Sequence, residues 1–166
     1  MDYIIKLAFV LLIFIYTWFF QAQNQEWDIE RALLKDANNM AVHDAAQEIN
    51  DVERSQGRLI IDPTIAFETF QDTLQLNLGL DEGLSPKAGS RLHHKVDIVK
   101  FVIIDESIVG LSFPFLYEDA QYGITKYIQG PSVIAVIETE HPVLIARSKT
   151  QEPIRVPAIQ EYKFNK

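Results

Sequence analysis

The stretch LLKDANNMAVHDAAQEI, residues 33–49, is polar, contains neither proline nor glycine, and carries Ala37, Ala41 and Ala45 at steps of four. Extended in both directions, the positions Leu34, Ala37, Ala41, Ala45, Ile49 and Val52 recur at steps of three and four, the signature of one helical face. Nothing between Gln21 and Ser55 breaks a helix, so the pattern predicts a helix that runs on until Gly57, after the polar run ERSQ. Small residues in the middle of such a stripe let another backbone come close, whether a neighbouring helix or the protein's own sheet. The plainer reading is that alanine is simply the best helix former.

Upstream of this stretch lies YIIKLAFVLLIFIYTWFF, residues 3–20. Its 18 residues make a helix of about 27 Å, close to the thickness of a hydrocarbon core. Twelve Leu, Ile, Phe or Val side chains outweigh the single Lys6, which sits near the end and can snorkel. Phe20 and Ala22 make a poor site for a signal peptidase, so retention as an anchor is expected rather than cleavage. Lys6 on one flank and Glu26, Asp28 and Glu30 on the other place the N-terminus in the cytoplasm and the rest outside. Tyr16 and Trp18 suit an interfacial belt, while Trp27, about 10 Å beyond Phe20, reads as a packing residue.

Downstream, RLII (58–61) reads as a short strand, and Asp62 with Pro63 as the cap and first turn of a second helix. Ile65, Ala66, Phe70, Leu74 and Leu78 form its apolar face, Gly79 stops it, and GLDEGLSPKAGS (79–90) is a loop. Strands follow: VDIVKFVIID (96–105), then SIVGLSFPFLYE (107–118) broken by Gly110 and Pro114, then GPSVIAVIETEHPVLI (130–145). The last, IRVPAIQEYKF (154–164), pairs with 130–145 as a hairpin partner, with Pro157 at an edge or bulge and the polar link ARSKTQEP (146–153) between them. The class is α+β, with an antiparallel sheet of about four strands. The organisation is an anchor helix over 1–24, an extended amphipathic helix over 25–56 and an extracytoplasmic domain over 57–166.

Composition narrows the function. The chain has 166 residues and a net charge of −8, with 15 Lys and Arg against 23 Asp and Glu, which argues against a nucleic-acid surface. It has no cysteine, hence no disulfide, thiolate metal site or catalytic thiol. His93 and His94 are adjacent and diverge on a strand; His43 beside Asp44, and Glu138, Glu140 and His141, lack the spacing of a ligand cluster. Asp81/Glu82 and Asp105/Glu106 read as solvated turns rather than calcium loops. No nucleophile elbow, phosphate loop or dinucleotide fingerprint occurs, and no catalytic residue, metal ligand or cofactor is expected.

The order of parts resembles a family. A membrane helix with an uninterrupted continuation through RALLKDANNMAVHDAA (31–46), and late strands SVIAVIETEHPVLI and IRVPAIQEYK, is similar to TadE/TadG-like proteins, the minor pilins or pseudopilins of the tight-adherence branch of type IV pilus systems. The resemblance implies a pilin-like α+β fold and a non-enzymatic structural role at a bacterial cell surface. It also implies partners in the bilayer and among other pilus subunits, met through the N-terminal helix. Here the apolar run contains no glutamate and only Met1 and Asp2 precede Tyr3, so an unprocessed, anchored subunit is the expected form. The alternative is a tethered ligand-binding or sensory ectodomain, suggested by the acidic domain and the loop from Gly79 to Ser90.

Overall fold

The computed structural model describes residues 2–108, 110–140 and 152–163. Its first element is one helix, α1 (Asp2–Ala45), of 44 residues and about 66 Å. The N-terminal part stands clear of everything else, and from Trp27 onward one face of the same helix closes the core of the domain.

The helix ends earlier than its apolar stripe suggests. Beyond Ala45 the chain turns, and a separate five-residue helix, α2 (Asp51–Ser55), follows. Two interactions stop the continuation. Ile49 forms an isolated bridge with Ile61, with Asn50 N–H donating to Ile60 O and Asp62 N–H to Glu48 O, each at 2.8 Å. The Asn50 side chain then caps α2 by accepting from Val52 N and Glu53 N. The segment Asn50 to Glu53 carries the spacing of a capping box, a start signal inside what reads as one helix.

The segment 58–61 is not a strand. Only Ile61 pairs, because two carboxylates take the place of a ladder: Asp105 Oδ2 accepts from Ile61 N and Glu106 Oε2 from Leu59 N, both at 2.9 Å. The next helix, α3 (Pro63–Leu78), forms as its ends dictate. Asp62 accepts from Thr64 N and Ile65 N, Pro63 fills the first turn, and Gly79 closes the helix at φ +63° while donating to Gln75 O. Ala66, Phe70, Leu74 and Leu78 are buried as their spacing requires, whereas Ile65 at the first turn is 48% exposed.

Five strands follow: β1 (Val96–Ile104), β2 (Phe115–Asp119), β3 (Ile124–Ile128), β4 (Ser132–Thr139) and β5 (Ile154–Glu161). They make two sheets rather than one, an antiparallel β1-β4-β5 sheet and a β2-β3 hairpin. The first sheet lies between the helices and the hairpin. Val133, Ala135 and Ile137 face α1 and α3, while Ile134 and Val136 face Ile124 and Ile128 of the hairpin. A central strand covered on both faces has no polar side to show, which is why SVIAVI reads as an unbroken apolar run. The strand over 107–118 begins only after Pro114, and β3 (ITKYI) was not anticipated although its alternation and the closing Gly123, at φ +63°, are hairpin signals. A bulge between Ile98 and Lys100 in β1 keeps Ile98 and Phe101 on the helix side although they are three residues apart. Residues 141–151, which take in the end of the expected 130–145 strand and most of the polar link, lie outside the described residues.

β5 is an edge strand, as Pro157 demands. It runs alongside α1. One cleft sets Trp27 and Arg31 against Pro153 and Ile154, and the next sets Ala32 and Lys35 against Val156 and Pro157. Helix and strand therefore advance together away from the apolar end, and β1, antiparallel to β4 like β5, points the same way.

Candidate functional site

Two surfaces of α1 carry the functional argument. Along Tyr3–Phe20 every residue is exposed, the large apolar side chains between 39% and 89%. This helix is long and apolar enough to cross a membrane, with a mean hydropathy of 2.1 over its best window, and is compatible with a membrane anchor. Its one hydroxyl outside the tyrosines is satisfied internally, Thr17 Oγ1 donating to Ile13 O at 2.8 Å, as an apolar surrounding requires.

The second surface is the small-residue stripe. Leu34, Ala37, Ala41 and Ala45 are buried, at 0–3% exposure, against the domain's own α3 and sheet. Of the two partners the spacing allows, a neighbouring helix or the protein's own sheet, these four positions meet the chain's own α3 and sheet, in one buried cluster with Phe70, Leu74 and Ala135. Ile49 is half-buried in its bridge to Ile61, and Val52, on α2, is 65% exposed. A measurement follows. With single cysteines at Ala37, Ala41, Ala45 or Val52, a thiol reagent is expected to label the Val52 variant rapidly under native conditions and the other three only after denaturation. Native crosslinking between chains from Ala41 would contradict this packing.

The residue that seats α1 is Asn38, which is fully buried. Its Nδ2 donates to Val156 O at 2.9 Å and to Ala135 O at 3.3 Å, carbonyls on two adjacent strands, while Oδ1 has no hydrogen-bond partner among the described residues. Val136 and Pro157 pair at this level of the ladder, and the amide spans the gap between their neighbours. Nothing in the apolar spacing points to Asn38; the usable signal is a lone polar residue between Ala37 and Ala41 on the buried face.

The candidate chemical residues are held in structural contacts. His43 Nδ1 lies 3.2 Å from Asp44, whose other oxygen accepts from Thr73 at 3.0 Å. His93 and His94 lie in the irregular stretch before β1 rather than on a strand, and they meet different partners: His93 Nε2 stands 3.9 Å from Glu26 and 4.0 Å from Glu30 on α1, and His94 Nδ1 3.4 Å from Glu140. Asp81 Oδ1 accepts from Gly83 N and Ser85 N, and Asp105 and Glu106 tie down residues 59–61. Glu138 takes two donors from Arg155, at 2.9 and 2.7 Å. Among the described residues no three His, Asp or Glu side chains converge as metal ligands.

One charged cluster escaped the sequence reading. Lys100 of β1 is paired with Asp119 at the end of β2, and its ammonium lies 5.6 Å and 5.5 Å from the rings of Tyr117 and Tyr122. The hydrogen bond to Asp119 holds Lys100 above the usual lysine range, with Tyr117 adding to it. The same bond holds Asp119 below the usual carboxylate range, helped by the backbone N–H of Tyr122. The contribution of Asp119 is therefore complete above the ordinary carboxylate pKa and lost as pH falls through its lowered value. That of Lys100 is complete below the ordinary lysine pKa and lost only as pH rises through its raised one. The melting temperature of Asp119→Asn is expected to lie below that of the parent across the neutral range, with the gap closing in acid below the ordinary carboxylate range. A gap that persists unchanged there would mean the ion pair does not pin the hairpin.

The class of protein defined is an α+β domain whose core is closed by the continuation of an exposed apolar helix. No family model, curated protein or solved structure matches the chain.

Proposed function

We propose that the chain is a non-enzymatic, single-pass membrane-anchored assembly component of a pilus or secretion-type surface apparatus of the tight-adherence kind. The N-terminus is cytoplasmic and the α+β domain extracytoplasmic. The observation that carries this reading is the single helix α1, exposed and apolar over Tyr3–Phe20 and then, without a break, part of the domain's core. A helix shared between a bilayer and a folded domain positions that domain rigidly above the membrane, the requirement of a subunit that must present itself to others in one orientation. Further support comes from the polar side chains, which cap helices, close loops and pair across strands.

The loop from Gly79 to Ser90, which suggested a ligand-binding ectodomain, is closed on itself. Leu80 bridges Pro86, Lys87 N donates to Gly79 O at 2.9 Å, and Ser90 Oγ donates to Leu78 O at 2.7 Å. The assembly reading is tested by shearing native host cells that carry a C-terminally tagged chain and blotting the released filaments against the membrane pellet. The tag is expected with the filaments or at their membrane base, crosslinked to other subunits. A chain wholly in the membrane fraction and without crosslinked neighbours would remove the reading.

A further inference from the structure

The two edges of the three-stranded sheet are unlike each other. Tyr162 N donates to Pro131 O at 2.7 Å, which sets the phase of the β4–β5 ladder. Val133, Ala135 and Ile137 turn their peptide groups toward β5, and Ser132, Ile134 and Val136 turn theirs toward β1, where they meet Ile104, Val102 and Lys100. On β5 the outward positions are then Arg155, Pro157 and Ile159. Pro157 has no N–H to offer, and Lys126 Nζ lies 3.5 Å from Ile159 O, so this edge is blunted.

On β1 the outward positions are Val96, Ile98, Phe101 and Ile103. Val96 N–H is taken by Leu84 O at 3.0 Å, which agrees with the phase and closes the lower end of the edge. Among the described residues nothing bonds the outward N–H and C=O groups of Phe101 and Ile103. Beside them runs a groove of about 660 Å³ between β1 and α3, walled by Phe67 and Pro63 and floored by Phe101 and Ile103. The ring of Phe67 stands edge-on to Phe101, centroids 5.1 Å apart. The one charged residue lining it is Glu68, exposed and in no ion pair among the described residues.

We propose that this open edge is a docking site for an extended, basic segment of a partner protein, which adds to β1 as a further strand. Its backbone pairs with Phe101 and Ile103, an apolar side chain enters the groove, and a Lys or Arg meets Glu68. Backbone groups that lack partners select a strand over a helix or a small molecule, and Glu68, on a chain with net charge −8, selects its sign. A second copy is disfavoured by geometry. Antiparallel pairing of β1 with β1 of another copy brings the two Glu68 carboxylates onto the same ribbon. Because β1 runs with α1, it also points the second anchor away from the first. Lipid is out of reach, since Ile103 pairs at the level of Val133, well up a helix in which Asn38 already lies about 27 Å beyond Phe20. The site stands whether or not the chain enters a filament.

The test uses the full chain in lipid nanodiscs and two capped seven-residue peptides of alternating valine and threonine, one ended by lysines and one by glutamates. Backbone amide exchange is read residue by residue. The lysine-ended peptide is expected to slow exchange at Phe101 and Ile103 by at least ~10-fold, with the glutamate-ended peptide much weaker. Glu68→Lys, a surface change that leaves the fold alone, is expected to reverse that preference, and Ile103→Pro to abolish protection by removing an outward donor. No slowing with either peptide, slowing confined to the β5 edge, or an unreversed preference in Glu68→Lys would each overturn the proposal. So would protection without peptide that grows with protein concentration, which would make the occupant a second copy.

Discussion

Asn38→Asp is expected to be among the most damaging single substitutions in the domain, costing about 3–5 kcal/mol, a large part of the stability of an ordinary domain. The volume hardly changes, so packing is not the cause. The amide presents two N–H donors to Val156 O and Ala135 O; a carboxylate presents oxygen to oxygen and brings a charge into a fully buried place. The origin of the loss makes a second check available. Burial raises the pKa of the introduced carboxyl, so its penalty is complete above that raised value and shrinks as pH falls toward the ordinary carboxylate pKa. Urea titrations of parent and variant are expected to show their midpoints converging in mild acid. Midpoints that coincide at neutral pH would mean that Asn38 does not hold the helix to the sheet.

Phe70→Ala is expected to cost a similar ~3–5 kcal/mol for a different reason, the loss of a large apolar side chain and the cavity it leaves. Phe70 is fully buried on α3, its ring 5.1 Å from that of Phe101, in a cluster that takes in Leu34, Ala41 and Leu74. The small residues of α1 have no side chains to spare that could relax into the space, so the cavity term stays near its upper range. The change should lower the urea midpoint with little change in slope and without the pH dependence of Asn38→Asp. A loss below about 1 kcal/mol would show that α1 and α3 are less closely packed than the buried alanines require.

What could be read in advance is what local chemistry decides by itself. Asp62, Pro63 and Gly79 delimit α3 because a cap, a fixed φ and a left-handed closure act within one turn, and Pro157 marks an edge because it lacks a donor. The exposed span over Tyr3–Phe20 was legible from length and apolarity alone. The alanine stripe was legible as a close-packing face, but its partner was not, since spacing says that something comes near and not what. The end of α1 at Ala45 was missed because it is settled by distant groups: Ile61, and the Asp105 and Glu106 carboxylates, fold the next segment back. Asn38 and the Lys100 and Asp119 pair were missed for the same reason, their partners being 118 and 19 residues away along the chain.

The unbroken α1 also has a mechanical side. With no glycine or proline between Gln21 and Ala45, there is no joint at which a load on the apolar segment can dissipate. A pull along the helix reaches the domain as shear along the α1–β5 seam, where Asn38 resists it with both donors, and a rotation of the apolar segment about its own axis swings the open β1 edge through the same angle.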